Sequence, residues 1–276
     1  MSTENNNPKF SCDLSGKFLF MRHGQTYYNI ITDLSRRYNP ELCDSHLTEE
    51  GENQAKLRQE DINKLNLEKV YVSPYYRALQ TVSLALENHP NLKNIIVYVH
   101  PYISEVVCSS HDYIIDIKQT KKDFNLNSKV KIDWTYFDEY VKQSKYEENF
   151  IYFENMNLID EKEKNEEYLK LKELYNKGDL KPFKEELGKF LYEKNKTFPR
   201  YESFKHASER FDKFKNYLRN EHKETINDKE KKILCVTHST LISIATSPKP
   251  FLIDKIDDKK DNLYKMKNGE INTLFI

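Results

Sequence analysis

Arg22 and His23 stand side by side directly after a short apolar run, and Gly24, Gln25, Thr26 and Asn29 follow them. Three more chemically capable side chains sit in comparable places. Arg77 comes shortly after residues 69–72 (KVYV), Glu105 lies beyond residues 95–99 in PYISEVV, and His238 ends ILCVTH. This set suffices for phosphoryl transfer. A neutral imidazole nitrogen attacks phosphorus in line. The charge rests on the phosphoryl oxygens, so positioned cations supply most of the catalysis. Two arginines and a second histidine provide that environment without a metal. A carboxyl group protonates the leaving oxygen and then deprotonates the incoming water or alcohol. Each residue alone has an ordinary explanation: a histidine bonded to a nearby carbonyl, an exposed arginine, a surface carboxylate. Four suitable positions, one after each strand, make a joint coincidence harder to accept.

Chemistry of this kind needs strand ends, because ligands of open α/β sheets sit at the carboxyl ends of the strands. Residues 17–21 (KFLFM), 69–72, 95–99 (IIVYV) and 233–236 (ILCV) read as buried strands. His100-Pro101 stops the third. Asn268-Gly269 is a hairpin-type turn before a last strand over 271–276. Residues 48–65 read as a helix, with Thr48 as N-cap and Ala55, Ile62 and Leu65 on one face. Ser73-Pro74 reads as another helix start, with Ser73 as cap, Pro74 in the first turn, and Ala78, Val82, Ala85 and Leu86 as the apolar stripe. A phosphate there meets backbone amides, the helix dipole and the Arg77 fork. Residues 201–222 give a further amphipathic helix.

Between 113 and 200 the chain is dense in Lys, Glu, Asp, Tyr and Phe around Trp134, with helical spacing broken at Gly178 and Pro182. That stretch reads as solvated helices. The pattern predicts a three-layer α/β/α sandwich with a mostly parallel central sheet and a helical insertion. Residues 1–15 read as a flexible polar tail and 16–276 as the catalytic domain. Within it, 113–200 reads as a charged cap over the carboxyl ends of the strands.

Composition removes several classes. Lys+Arg and Asp+Glu are 44 each among 276 residues, so zero net charge argues against a nucleic-acid binder working through a global basic field. Hydrophobic residues at 38% with 19 Tyr and 15 Phe supply a largely aromatic core, which excludes wholesale disorder. The six glycines build neither GxGxxG nor GxxxxGK[ST]. Cys12, Cys43, Cys108 and Cys235 are far apart and form no CxxC, which suits a reducing compartment better than disulfides or zinc. No HExxH or EF-hand loop occurs, no apolar leader opens the chain, and no run approaches a membrane span. The expectation is a cytoplasmic protein without metal, membrane or nucleic-acid partners.

FLFMRHGQTYYN, DSHLTEEGENQA, VYVSPYYRALQT and ILCVTHS, in that order, resemble the histidine phosphatase superfamily in its phosphoglycerate-mutase-like branch. The resemblance covers roughly 17–107 and 200–276. It implies that His23 is the nucleophile that becomes phosphohistidine. It implies that Arg22, Arg77, His238 and Asn29 complete the phosphate pocket and that Glu105 is the proton donor. Two departures stand out. Mutases proper follow that Glu with Arg-His-Tyr-Gly, whereas Glu105 is followed by Val-Val-Cys-Ser. The family usually has His-Gly where this chain has His238-Ser239, so Ser239 alters how backbone amides approach the phosphate.

His111-Asp112 is set aside, because acid phosphatases of that superfamily carry their Asp directly after the late histidine, here His238-Ser239. His46 is a candidate for the rim. Asp44 and Thr48 read as turn and cap residues, and Cys235 as core. The leading expectation is a metal-independent phosphomonoester hydrolase acting through His23 on a phosphorylated small molecule or a phosphoprotein. The missing mutase stretch ranks it above a phosphomutase, which would need a bisphosphoglycerate primer as its only cofactor. A third reading is a weakly active scaffold that binds a protein through 113–200. The oligomeric state stays open.

Overall fold

The computed structural model describes residues 13–197, 201–246 and 265–274. The strands are β1 (Phe18–Arg22), β2 (Asn66–Val72), β3 (Ile96–Val99), β4 (Lys131–Asp133), β5 (Lys231–Thr237) and β6 (Ile271–Thr273). The helices are α1 (Tyr27–Ile30), α2 (Glu49–Leu57), α3 (Gln59–Ile62), α4 (Tyr76–Leu86), α5 (Ile117–Asn127), α6 (Thr135–Gln143), α7 (Glu161–Asn176), α8 (Leu180–Thr197), α9 (Phe204–Glu221) and α10 (Ser239–Ala245). The strands form one sheet in the order β4-β3-β2-β5-β1-β6, parallel except for β6, which runs antiparallel to β1.

Strand side chains alternate between two faces, and both faces are covered, as a parallel sheet requires. Leu19, Met21, Val70, Val72, Val97, Leu234 and Val236 pack against α4, α5 and α6 through Ala78, Val82, Phe124 and Phe137. Phe18, Phe20, Tyr71, Ile233 and Cys235 pack on the other side against α9 and α10 through Phe211, Phe214, Leu218 and Leu241. The result is the expected α/β/α sandwich.

Several details differ from the sequence reading. The 48–65 helix is two, α2 and α3, meeting at Arg58, although Thr48 does cap the first by accepting from Gly51 N–H. Pro182 does not break a helix. It lies in the first turn of α8, where a missing N–H costs nothing. Of the last strand only 271–273 is paired, and 275–276 fall outside the described residues. Cys12 and most of the tail fall outside as well.

The 113–200 stretch divides. Its first third supplies β4, which pairs with β3, and α5 and α6, which join the sandwich core. A separate aromatic core begins near Tyr146, where Phe150, Phe153, Tyr168, Leu171, Phe183, Leu187 and Tyr201 pack together. This helical unit rests on the carboxyl-end loops. Helix α8 packs on the turns Leu34–Tyr38 and Pro40–Leu42, and those turns pack on Ser110–Asp112. Lys184 and Glu41 add an ion pair of 2.7 Å across that contact.

Candidate active site

The carboxyl ends of β1, β2, β3 and β5 bring Arg22, His23, Arg77, Glu105 and His238 into one electrostatically linked group. His23 is 3% exposed, Glu105 5%, and Arg77 and His238 are fully covered.

His23 leaves β1 with its backbone N–H on the Thr237 carbonyl of β5. Its Nδ1 lies 2.7 Å from the Gly24 carbonyl, which only accepts. The proton therefore sits on Nδ1, and Nε2 keeps the lone pair. Burial, then Arg77 and Arg22, hold the ring well below the usual histidine range, so it stays neutral and nucleophilic. Gly24 serves packing of the chain itself. A Cβ there would come within 2.3 Å of the Gly51 carbonyl oxygen in α2.

The C-terminal turn grips this loop from outside. Asn268 Nδ2 donates to the His23 carbonyl at 3.1 Å, and Gly269 N–H donates to the Arg22 carbonyl at 3.2 Å. Gly269 sits at φ +71°, which favours glycine in this turn. Arg22 in turn donates to the Met266 carbonyl at 2.7 Å. The hairpin signal was visible in the sequence, but its task of fixing residues 22–23 was not.

Arg77 sits in the first turn of α4 and is held from three sides. It donates to the His111 carbonyl at 2.6 Å and to Asp112 Oδ1 at 3.2 Å, and it stacks over the Tyr75 ring at 4.5 Å. Asp112 is itself fixed by the N–H groups of Cys108 and Ser109, both 3.1 Å from Oδ2. His111, set aside in the sequence, thus belongs to the site. Its ring stacks on Tyr28 at 3.8 Å and meets the Ser109 hydroxyl at 2.8 Å. Burial, followed by Arg77 and His23, keeps His111 well below the usual range.

Ser73 is not the cap of α4. The cap position is Tyr75, and the Asp44 carboxylate accepts the Tyr76 N–H at 2.9 Å. Ser73 shares a 2.7 Å hydrogen bond with His238 Nε2 instead. The His238 ring lies 5.1 Å from that of His23, and burial with Arg77 keeps it neutral.

The Glu105 carboxylate sits over the start of α10. Oε1 accepts from Val106 N–H at 2.9 Å and Leu241 N–H at 3.1 Å, and Oε2 from Thr240 N–H at 3.4 Å. Burial raises its pKa, while those amides, Arg77 and Arg22 pull it back. The oxygens of Asn29 and Ser239 are engaged elsewhere. Asn29 Oδ1 closes a capping box with Thr26 N–H, and Ser239 O–H donates to the Met266 carbonyl at 3.4 Å. His46 is at the surface, stacked on Tyr76 at 3.9 Å.

Among the described residues, three buried nitrogens of this group have no hydrogen-bond partner: Arg22 Nε, Arg77 Nε and His238 Nδ1. Buried polar atoms are usually satisfied, and an anion with several oxygens beside His23 would give all three a partner. Among the described residues, no group of three or more His, Cys, Asp or Glu side chains is placed to hold a metal ion.

Residues 18–111 match the family described as the histidine phosphatase superfamily (branch 1). The matched stretch is the part of the chain that carries Arg22, His23, Arg77 and Glu105. No curated protein matches the sequence. Among solved structures, a mycobacterial glucosyl-3-phosphoglycerate phosphatase is 15% identical, with 82% of this chain and 76% of that chain covered and a TM-score of 0.42. A Bombix mori ecdysone phosphate phosphatase in complex with tungstate is 13% identical, with 92% and 86% covered and a TM-score of 0.44. A phosphoglycerate mutase from Bacillus anthracis is 16% identical, with 84% and 79% covered and a TM-score of 0.40. Among the described residues, no helix is long and apolar enough to cross a membrane.

Proposed function

We propose that the protein hydrolyses a phosphate monoester through a phosphohistidine on His23, without a metal. The observation that carries this reading is the set of three buried, unpartnered nitrogens beside a histidine whose Nε2 lone pair is free.

His23 Nε2 attacks phosphorus, and the P–O bond to the leaving alcohol breaks as P–N forms. The two guanidinium groups and His238 hold the phosphoryl oxygens, as in other phosphoryl transfers. Glu105, raised by burial, gives its proton to the leaving oxygen. It then takes a proton from the water that attacks phosphohistidine, which releases inorganic phosphate and restores His23. The helical unit from Tyr146 to Tyr201, seated on the carboxyl-end loops, sets which ester reaches His23. The substrate is a phosphorylated small molecule or a phosphoprotein.

The test is inorganic phosphate release from an aryl phosphate in EDTA, for wild type and His23→Ala. Turnover by wild type alone supports the proposal, and equal turnover by both sinks the nucleophile assignment. Activity that EDTA abolishes sinks metal independence. If wild type releases no phosphate yet interconverts phosphoglycerates with a bisphosphate primer, the enzyme is a mutase.

A further inference from the structure

Arg210 of α9 is 4% exposed and Glu202, just before α9, is fully buried. A buried ion pair is seldom the most stable way to fill such a space, and an apolar pair often does as well. This pair is unusual in where its remaining bonds go. Nε donates to Glu202 Oε1 and one NH2 hydrogen to Oε2, each at 3.1 Å. NH1 donates to the Tyr102 carbonyl at 2.8 Å and the Ser104 carbonyl at 2.9 Å, and NH2 reaches the Glu105 carbonyl at 3.4 Å. A guanidinium has five N–H groups, so every one is used, and three hold backbone carbonyls in the four-residue stretch that ends at Glu105. Glu202 completes the grip by accepting Val107 N–H at 3.1 Å. The Val107 carbonyl accepts both Tyr201 N–H and Glu202 N–H in return.

We propose that the Glu202–Arg210 pair is a positioning device for the proton donor: it clamps the backbone on both sides of Glu105 and ties that segment to the end of the helical unit at Tyr201. The inference rests on the reading of Glu105 as proton donor. The two halves of Glu105 are then held separately. Its carboxylate is set by the first turn of α10, and its backbone by Arg210. With the backbone released, the carboxylate loses its aim at the leaving oxygen, and small misplacements of a catalytic group cost about 10²-fold. Neither Arg210 nor Glu202 touches the phosphate site, so phosphohistidine formation from an ester that needs no acid stays intact.

The experiment compares two esters. Nitrophenyl phosphate has a leaving group stable as an anion, and glycerol phosphate needs a proton. The variants are Glu105→Gln, Arg210→Lys and the double variant Glu202→Leu with Arg210→Met, which removes both charges so that neither is left unpaired. Folding is checked by urea unfolding. The readout is the single-turnover rate of alcohol release, which reports phosphohistidine formation alone, and the expected result for the double variant is a loss of about 10-fold to 10²-fold on glycerol phosphate with less than about threefold on nitrophenyl phosphate. The limb of the pH profile assigned to Glu105 should shift or vanish, and Arg210→Lys should recover part of the loss.

Equal losses on both esters, or none on either, in a folded double variant overturn the clamp while Glu105→Gln still discriminates between the esters. A double variant that does not fold leaves the decision to Arg210→Lys, where an undiscriminating loss has the same meaning. If Glu105→Gln itself fails to discriminate, the proton-donor reading fails and the clamp falls with it. A wild type that turns over neither ester sinks the hydrolase reading first.

Discussion

Ser73 and His238 share a 2.7 Å hydrogen bond between the ends of β2 and β5, with neither side chain exposed. The bond decides which ring nitrogen of His238 is left for the substrate. With the hydroxyl donating to Nε2, the ring proton sits on Nδ1, the atom that lacks a partner. Ser73→Ala removes that constraint. The expected outcome is a fall in kcat of about tenfold, with a stability loss of about 1 kcal/mol for the lost bond. Steady-state kinetics and urea unfolding check it. A variant with normal kcat would show that the His238 tautomer is set by something else.

Asp112 tests how Arg77 is held. It accepts two backbone N–H groups and pairs with Arg77, all out of water. Removing one partner of a buried pair costs about 3–5 kcal/mol because a charge is left uncompensated. Asp112→Asn keeps the shape and some of the hydrogen bonds but not the charge. It should lower thermal stability markedly and cut kcat about 10²-fold as the guanidinium loses its alignment. The site also gains net positive charge, so inhibition by inorganic phosphate should not weaken. A variant with weaker phosphate inhibition and unchanged kcat would contradict this account.

The sequence carried the main strands, because each is a short apolar run whose alternate residues pack on opposite faces, as in 69–72. It also carried Arg22, His23, Arg77, Glu105 and His238, because each lies at or shortly after a strand end. It did not carry β4, a three-residue edge strand inside a charged stretch, where pairing with β3 supplies what local composition lacks. Ser73 read as a cap because Ser before Pro is a local signal. His238, 165 positions away, is the partner it took. Asp112 was set aside and Arg210 missed for the same reason, since their bonds to Arg77 and to the Glu105 segment join parts of the chain far apart in sequence.

His100 gives stability a pH dependence with a definite sign. It is buried among the rings of Tyr71, Tyr102, Tyr136, Phe214 and Tyr217, and burial lowers its pKa to about 3. An unfolded histidine titrates near 6.5. Below that value the unfolded chain takes up a proton that the folded one refuses, so the stability is present above about pH 6.5 and is lost as pH falls toward 3. The slope is about 1.4 kcal/mol per pH unit. His100→Asn removes this dependence. Its destabilisation relative to wild type should therefore be about 2 kcal/mol smaller at pH 5 than at pH 7, measured by urea unfolding at both. A difference that does not change with pH would mean that His100 takes up its proton without unfolding.

Gly24→Ala separates a packing role from a phosphate-contact role. The added Cβ would stand 2.3 Å from the Gly51 carbonyl oxygen, and neither a Cβ fixed on its Cα nor a backbone oxygen can rotate away. Either the loop after β1 or the first turn of α2 must shift. Overpacking of this kind costs about 1–3 kcal/mol. The shift also moves His23, whose Nδ1 is tied to the Gly24 carbonyl at 2.7 Å, so kcat should fall along with stability. The matching change on the other side, Gly51→Ala, meets the Gln25 carbonyl at 2.0 Å and displaces the same contact without altering the residue next to His23. If crowding between the two segments is the cause, both variants lose stability and activity together. If Gly24→Ala loses activity while Gly51→Ala keeps it at equal stability, Gly24 is there for the ligand.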